Sequence, residues 1–247
     1  MDLLVSVKNL HEAQLVIEQG VSWVDLKDPG KGSLGSPDLA IVREVSDWLC
    51  AQHSHRLDRF SIALGEQREL ELDEILKRAE CANLLKVGLS GLMNIRNWQE
   101  RLLRISESIA SRQAKLIPVY YADDQRAQCP SLKEIVELSQ QIAASHFLVD
   151  TFVKDGQTLF EFCSAGQLGR LKEKLNDFGC RLVLAGSLKI EHLPLLAEVQ
   201  PSMVAIRGAA CALDRNGSLC EERVHFWASC LQTSWQAQTQ DVQGRAK

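Results

Sequence analysis

The feature that most constrains this chain is an alternation repeated eight times: a short apolar run of strand length, then a segment with helical periodicity. The apolar runs are Leu3 to Val7 (LLVSV), Val21 to Leu26, Phe60 to Leu64 (FSIAL), Leu84 to Val87 (LLKV), Lys115 to Tyr121 (KLIPVYY), Phe147 to Val149, Arg181 to Leu184 (RLVL) and Met203 to Ile206 (MVAI). Between them, helices are expected from the Asn9 N-cap to Gln19 and from Ser36-Pro37 to about Gln52. Further helices are expected over Leu72 to Cys81, Asn94 to Gln113, Ser131 to Ala144, Ala165 to Phe178 and Ile190 to Val199, and from Glu221 to about Trp235. The strands are apolar throughout instead of alternating, as in a parallel sheet covered by helices. No linker or change of composition divides the 247 residues, and one (β/α)8 barrel needs ~250. The expected fold is α/β, a single (β/α)8 TIM barrel over residues 1–235, with a polar tail at 236–247 that frays. A doubly wound open sheet is the other arrangement of such units, but no G-x-G-x-x-G turn follows the first strand.

Composition narrows the class of partner. The net charge is -4 with no basic block, which argues against nucleic acid. No apolar run approaches the ~20 residues that cross a membrane, and MDLLVSVKNLHEA lacks a signal-peptide pattern, so a cytoplasmic location is expected. The eight cysteines are scattered without a C-x-x-C pair and read as reduced, mostly packed as small hydrophobes. His53-Ser-His55 is the closest histidine pair, in a polar stretch (AQHSHRLDR) that reads as a loop, and no metal site is expected there.

Barrel enzymes carry their chemistry at the C-terminal ends of the strands. The second strand runs into WVDLKDPGKGSLG, Trp23 to Gly35. Asp25 and Lys27 are two apart, so they share one side of a strand, where a buried Asp-Lys ion pair is the plainer reading. The glycines that follow allow unusual backbone angles and close approach of a ligand. Other strand ends are also polar. Strand four holds Lys86 inside LLKVGLSG, strand five ends at Asp123, and strand six ends at Asp150 with Lys154 four residues on. Strand seven leads to Gly186-Ser187 and Lys189, and strand eight to Arg207-Gly208-Ala209.

A lysine near a strand end is ordinarily solvated or ion-paired, but three lysines and three aspartates on one mouth suit a reactive amine. Each ammonium lowers its neighbour's pKa from ~10.4, and a neutral amine can attack a carbonyl to form a Schiff base. The aspartates can hold a second lysine charged or move protons. In many barrels the loops after strands seven and eight hold a phosphate. Here AGSLK and RGAAC expose backbone N–H groups at Gly186, Ser187, Gly208 and Ala209, with Arg207 or Lys189 as added charge. The plainer reading of those glycines is a tight turn.

With these residues in view, the chain resembles the (5-formylfuran-3-yl)methyl phosphate synthase family of methanofuran biosynthesis. The matching stretches are LLVS, VDLKDPGKGSLG, LLKVGL, YAD at Tyr121 to Asp123, LVDTFVKDGQTLFEF, LAGSLKIEHLPLL and VAIRGAACALDRNG, in order from Leu3 to Gly217. The resemblance implies a (β/α)8 barrel that condenses two molecules of glyceraldehyde 3-phosphate into a phosphorylated furan aldehyde, losing phosphate and water. It implies no metal or organic cofactor. It also implies that Lys27 forms the Schiff base, that Lys86 is the proton acceptor, and that Asp25, Asp150 and Lys154 complete the active site. The third strand departs from the pattern, ending LGEQRE with Glu66 where an aspartate is expected.

Two other functions stay open on sequence. A non-catalytic sugar-phosphate sensor would need the phosphate loops but has no use for both Lys27 and Lys86. A class I aldolase acting on another aldehyde pair shares the Schiff base and is separated only by its product. The expected partner is a small triose phosphate, with neither nucleic acid nor membrane, and a homo-oligomer is compatible with the sequence.

Overall fold

The computed structural model describes residues 1–231. The tail at 236–247 and the end of the last helix at Trp235 lie outside the described residues. Eight parallel strands close into a barrel in sequence order. They are β1 Asp2–Val7, β2 Trp23–Leu26, β3 Phe60–Glu66, β4 Leu84–Gly88, β5 Lys115–Tyr121, β6 His146–Asp150, β7 Arg181–Leu184 and β8 Met203–Ile206. Helices join each strand to the next, and after β8 a helix runs over 221–231. The (β/α)8 architecture is therefore as expected. No helix among the described residues is long and apolar enough to cross a membrane.

Element ends differ from expectation where the backbone leaves the helical region. The second helix begins at Leu39, because its Asp38 cap is extended. The helix expected from Asn94 starts at Trp98, because Asn97 is left-handed with φ 63°. The segment 190–199 divides into a 3-10 turn, Ile190–His192, and a helix, Leu193–Val199. Two short helices, Asp124–Ala127 and Leu159–Phe162, sit inside loops. The His53 to His55 stretch is not a loop: a helix reaches His53 and a 3-10 segment spans Ser54–Arg59.

Outside the barrel, Val16, Val42, Leu49, Ile75, Leu102 and Ile135 bury the apolar faces of the helices against the strands. Inside it, side chains follow the strand period of two. On β2 the inward residues are Trp23 and Asp25, with Lys27 just beyond its end; on β6 they are His146, Leu148 and Asp150. Trp23 and His146 meet edge to face at 5.3 Å at the N-terminal floor. Burial lowers the His146 imidazole to about 4, so it stays neutral. The barrel is thus closed below, and its polar residues open at the other end.

The Glu66 departure has a structural use. The β3–β4 register shifts between Ala63 and Glu66, with Gly65 at φ 98°. This turns the Glu66 carboxylate across the rim, where it accepts the Tyr121 hydroxyl at 2.6 Å and the Ser90 N–H at 2.8 Å. A Cβ at Gly88 would stand 2.4 Å from both carboxylate oxygens. Gly88→Ala is therefore expected to lower stability by about 2 kcal/mol through overpacking, measured by urea denaturation. A change under ~0.5 kcal/mol, the size of a neutral surface change, would contradict this packing.

Candidate active site

Parallel register sets Ser6 of β1 and Ser61 of β3 on either side of Asp25. Both hydroxyls donate to its carboxylate, at 2.8 and 2.7 Å. Lys86, whose strand neighbour is the small Ala63, reaches across β3 and puts its Nζ 2.5 Å from Asp25 Oδ2. Burial pushes the Asp25 carboxyl up, but the Lys86 and Lys27 charges and the hydrogen bonds outweigh it and hold the group below the usual range. The buried aspartate therefore pairs with Lys86, a correction to the expected pairing with Lys27.

Lys27 is buried, and its Nζ donates to the Ser33 carbonyl at 3.3 Å. Among the described residues it has no ion-pair partner within 4.0 Å. Burial lowers its amine to about 7, with Lys86 and Lys154 adding repulsion and Asp150 and Asp25 opposing it. Desolvation is thus the larger cause, and the neighbouring lysines are secondary.

Asp150 at the end of β6 is the second anchor. Its Oδ1 accepts the Thr151 N–H and the Lys154 ammonium, both at 2.7 Å. Lys154 also donates to Thr151 Oγ1 at 3.1 Å. Ser33 Oγ lies 3.2 Å from Asp150 Oδ2 and 3.1 Å from the Thr151 carbonyl, so its one proton serves either. The loop after β2 is thereby drawn across the barrel mouth. It closes on itself through Asp28 N–H to Gly35 O, 2.8 Å. Gly35 has no alternative there, since a Cβ would stand 2.1 Å from the Asp28 carbonyl.

A cavity of about 310 Å³ lies at this end of the barrel. Its lining includes Lys27, Lys86, Asp150 and Lys154 together with Gly186, Ser187, Gly208 and Ala209. Gly186 and Ser187 are both left-handed, at φ 99° and 50°. The N–H groups of Gly186, Ser187, Gly208 and Ala209 have no protein acceptor among the described residues.

Two residues expected at the substrate have other partners. Arg207 borders the cavity, but Nη1 donates to Glu12 at 2.9 Å and to the Ser6 carbonyl at 2.8 Å. Its Nε and Nη2 hold the Arg215 and Gly217 carbonyls. With its charge matched by Glu12, Arg207 fixes the loop after β8. Asp123 accepts the N–H groups of Phe152 and Val153 at 2.6 and 3.0 Å, and so shapes the loop that carries Lys154. Four residues of the site escaped sequence reading: Ser6, Ser33, Ser61 and Arg215. Ser6 and Ser61 did leave a signal, as lone polar residues within LLVSV and FSIAL. Among the described residues, no group of three His, Cys, Asp or Glu side chains could hold a metal ion.

The Lys27 amine links the site to stability. The unfolded chain keeps this proton to about pH 10.5, the folded chain only to about 7. Between those values the unfolded state binds more protons, so stability rises with pH, and below 7 the whole burial penalty is present. Lys27→Met is expected to resist urea better than the parent at about pH 6, with the advantage shrinking between about pH 7 and 10. Equal stability at about pH 6 would contradict the burial of an unpaired amine.

The family model described as 4-HFC-P synthase matches residues 3–228. The (5-formylfuran-3-yl)methyl phosphate synthase of Methanococcus maripaludis (strain C5) is 31% identical over 223 residues, covering 87% of this chain and 92% of that protein. The protein of that name from Methanosarcina mazei is 29% identical over 228 residues, covering 91% and 96%. Among solved structures, phosphoribosyl anthranilate isomerase from Thermus thermophilus has a TM-score of 0.61 at 14% identity, covering 94% of this chain and 99% of that one, a likeness of fold alone. The model match across the barrel, with relatives of about this identity over nearly their whole length, shows that the chain belongs to the 4-HFC-P synthase family.

Proposed function

We propose that this chain is a (5-formylfuran-3-yl)methyl phosphate synthase of methanofuran-type cofactor synthesis, condensing two molecules of glyceraldehyde 3-phosphate through a lysine imine. The observation that carries the reading is a buried lysine with an amine near neutrality beside a separate Asp-Lys ion pair. In this scheme the Lys27 amine attacks the triose carbonyl and water leaves as the imine forms. Loss of a proton from the adjacent carbon gives an enamine, which attacks the aldehyde of the second triose. Dehydration and loss of one phosphate then close the aromatic furan, and hydrolysis of the imine returns Lys27. Two trioses thus become one furan phosphate, one phosphate and two waters.

Lys86 is the proton carrier. From its place on Asp25, its Nζ can pass a proton to a departing oxygen and take one back from carbon. Lys154 fits the imine less well, because its ammonium is held by Asp150 and Thr151. The free N–H groups at Gly186-Ser187 and Gly208-Ala209 suit a substrate phosphate.

Borohydride added with glyceraldehyde 3-phosphate should fix one triose on Lys27, located by peptide mass. Lys27→Ala and Lys27→Arg should abolish both trapping and turnover, because a guanidinium cannot serve as the amine. Lys86→Ala should still trap while turnover falls ~10²–10⁴-fold. A label on Lys154 with Lys27 untouched would reverse the roles, and turnover by Lys27→Ala would remove the imine. Mass analysis of the product separates the furan phosphate from an ordinary aldol.

The rate of trapping should rise about tenfold per pH unit below about 7 and level off above it, as Lys27 loses its proton. A flat profile from about pH 5 to 8 would contradict a titrating Lys27.

A further inference from the structure

Besides Arg207, two cations of the cavity have no role in the scheme above: Lys189, which pairs with Glu191 at 3.7 Å, and Arg215. Arg215 lies in the loop after β8, half-buried, and borders the cavity that holds Lys27. Its side chain makes one hydrogen bond among the described residues, Nη2 to the Gly32 carbonyl at 2.9 Å. The other N–H donors of its fork have no partner there, and no carboxylate lies within the 4.0 Å of an ion pair. A guanidinium left so is costly to desolvate unless an anion completes it.

Its place is fixed by the chain, not by chance contact. Arg207 holds the Arg215 carbonyl at 2.6 Å, and the Arg215 Cβ lies 3.7 Å from where a Cβ of Gly208 would stand. The unpartnered fork is therefore carried beside the free N–H groups of Gly208 and Ala209.

The neighbouring cavity, about 390 Å³ between the loops after β2 and β3, has cations too, but they are taken. Lys31 pairs with Asp28 and Asp38, Arg68 with Glu69 and Arg78 with Glu74. Of the guanidinium groups that border these two cavities, Arg215 is the one with no carboxylate within 4.0 Å among the described residues.

We propose that Arg215 is the specificity residue for the substrate's phosphate: its fork takes phosphate oxygens beside the loops after β7 and β8, while its bond to Gly32 ties that contact to the loop following Lys27. The inference rests on the phosphorylated-substrate reading above, and its test is independent of the imine. Glycerol 3-phosphate carries the phosphate but has no carbonyl, so its binding reports the phosphate contact alone.

By calorimetry, Arg215→Met should weaken glycerol 3-phosphate binding about 30-fold, the loss expected for a charge-assisted pair. Arg215→Lys, which keeps charge without the fork, should recover part of it, to within about tenfold of the parent. Under borohydride, Arg215→Met should also trap glyceraldehyde 3-phosphate no faster than unphosphorylated glyceraldehyde, while the parent prefers the phosphate. Binding of glycerol 3-phosphate by Arg215→Met within about threefold of the parent would overturn the proposal and leave Arg215 as a clamp on Gly32. If the parent bound glycerol 3-phosphate but trapped neither aldehyde, the imine reading would fail while the Arg215 result stood.

Discussion

The ion pair between Asp25 and Lys86 is the interaction on which the rest of the site depends. Both groups are buried inside the barrel, 2.5 Å apart, and neither could remain charged there alone. Ser6 and Ser61 complete the carboxylate from the two neighbouring strands, a placement that follows from the parallel register. With its oxygens turned to these partners, Asp25 makes no ion pair with Lys27 within 4.0 Å and acts on it only through its field. The two lysines are thereby separated, one in an ion pair and one without.

The strap after β2 serves this separation. Its glycine at position 35 lets the backbone close against Asp28, and Ser33 then spans from the Lys27 amine to Asp150 and Thr151. A carbonyl is a weak partner for an ammonium, so Lys27 is covered without being offered a counter-ion. Asp150 meanwhile holds Lys154 and stays below the usual carboxylate range, burial being outweighed by Lys154 and Lys27. Buried acids and amines that each cost stability are held because the barrel around them is large and apolar.

Much of the fold was legible because the apolar runs end abruptly at turns. β5, β7 and β8 begin and end at the residues read from the sequence alone. β3 and β6 extend further, to Glu66 and Asp150, because hydropathy stops where the strand turns polar at the site. The convergence of Lys27, Lys86, Asp150 and Lys154 on one cavity was legible from the strand-end rule. Their pairing was not: Asp25 and Lys27 are neighbours along one strand, yet the partner of Asp25 comes from two strands away. Arg207 likewise spends its charge on Glu12, which is 195 residues distant in sequence. Arg215 sits in an irregular DRNG turn with no periodicity to mark it.

The site turns on Lys27, a buried amine that desolvation lowers to about 7. The most direct measurement is an NMR titration of the free protein labelled with 13C at lysine Cε, with the Lys27 signal assigned by its loss in Lys27→Arg. A Lys27 midpoint near 7 is expected. A midpoint above about 10, the value of an ordinary solvated lysine, would contradict it.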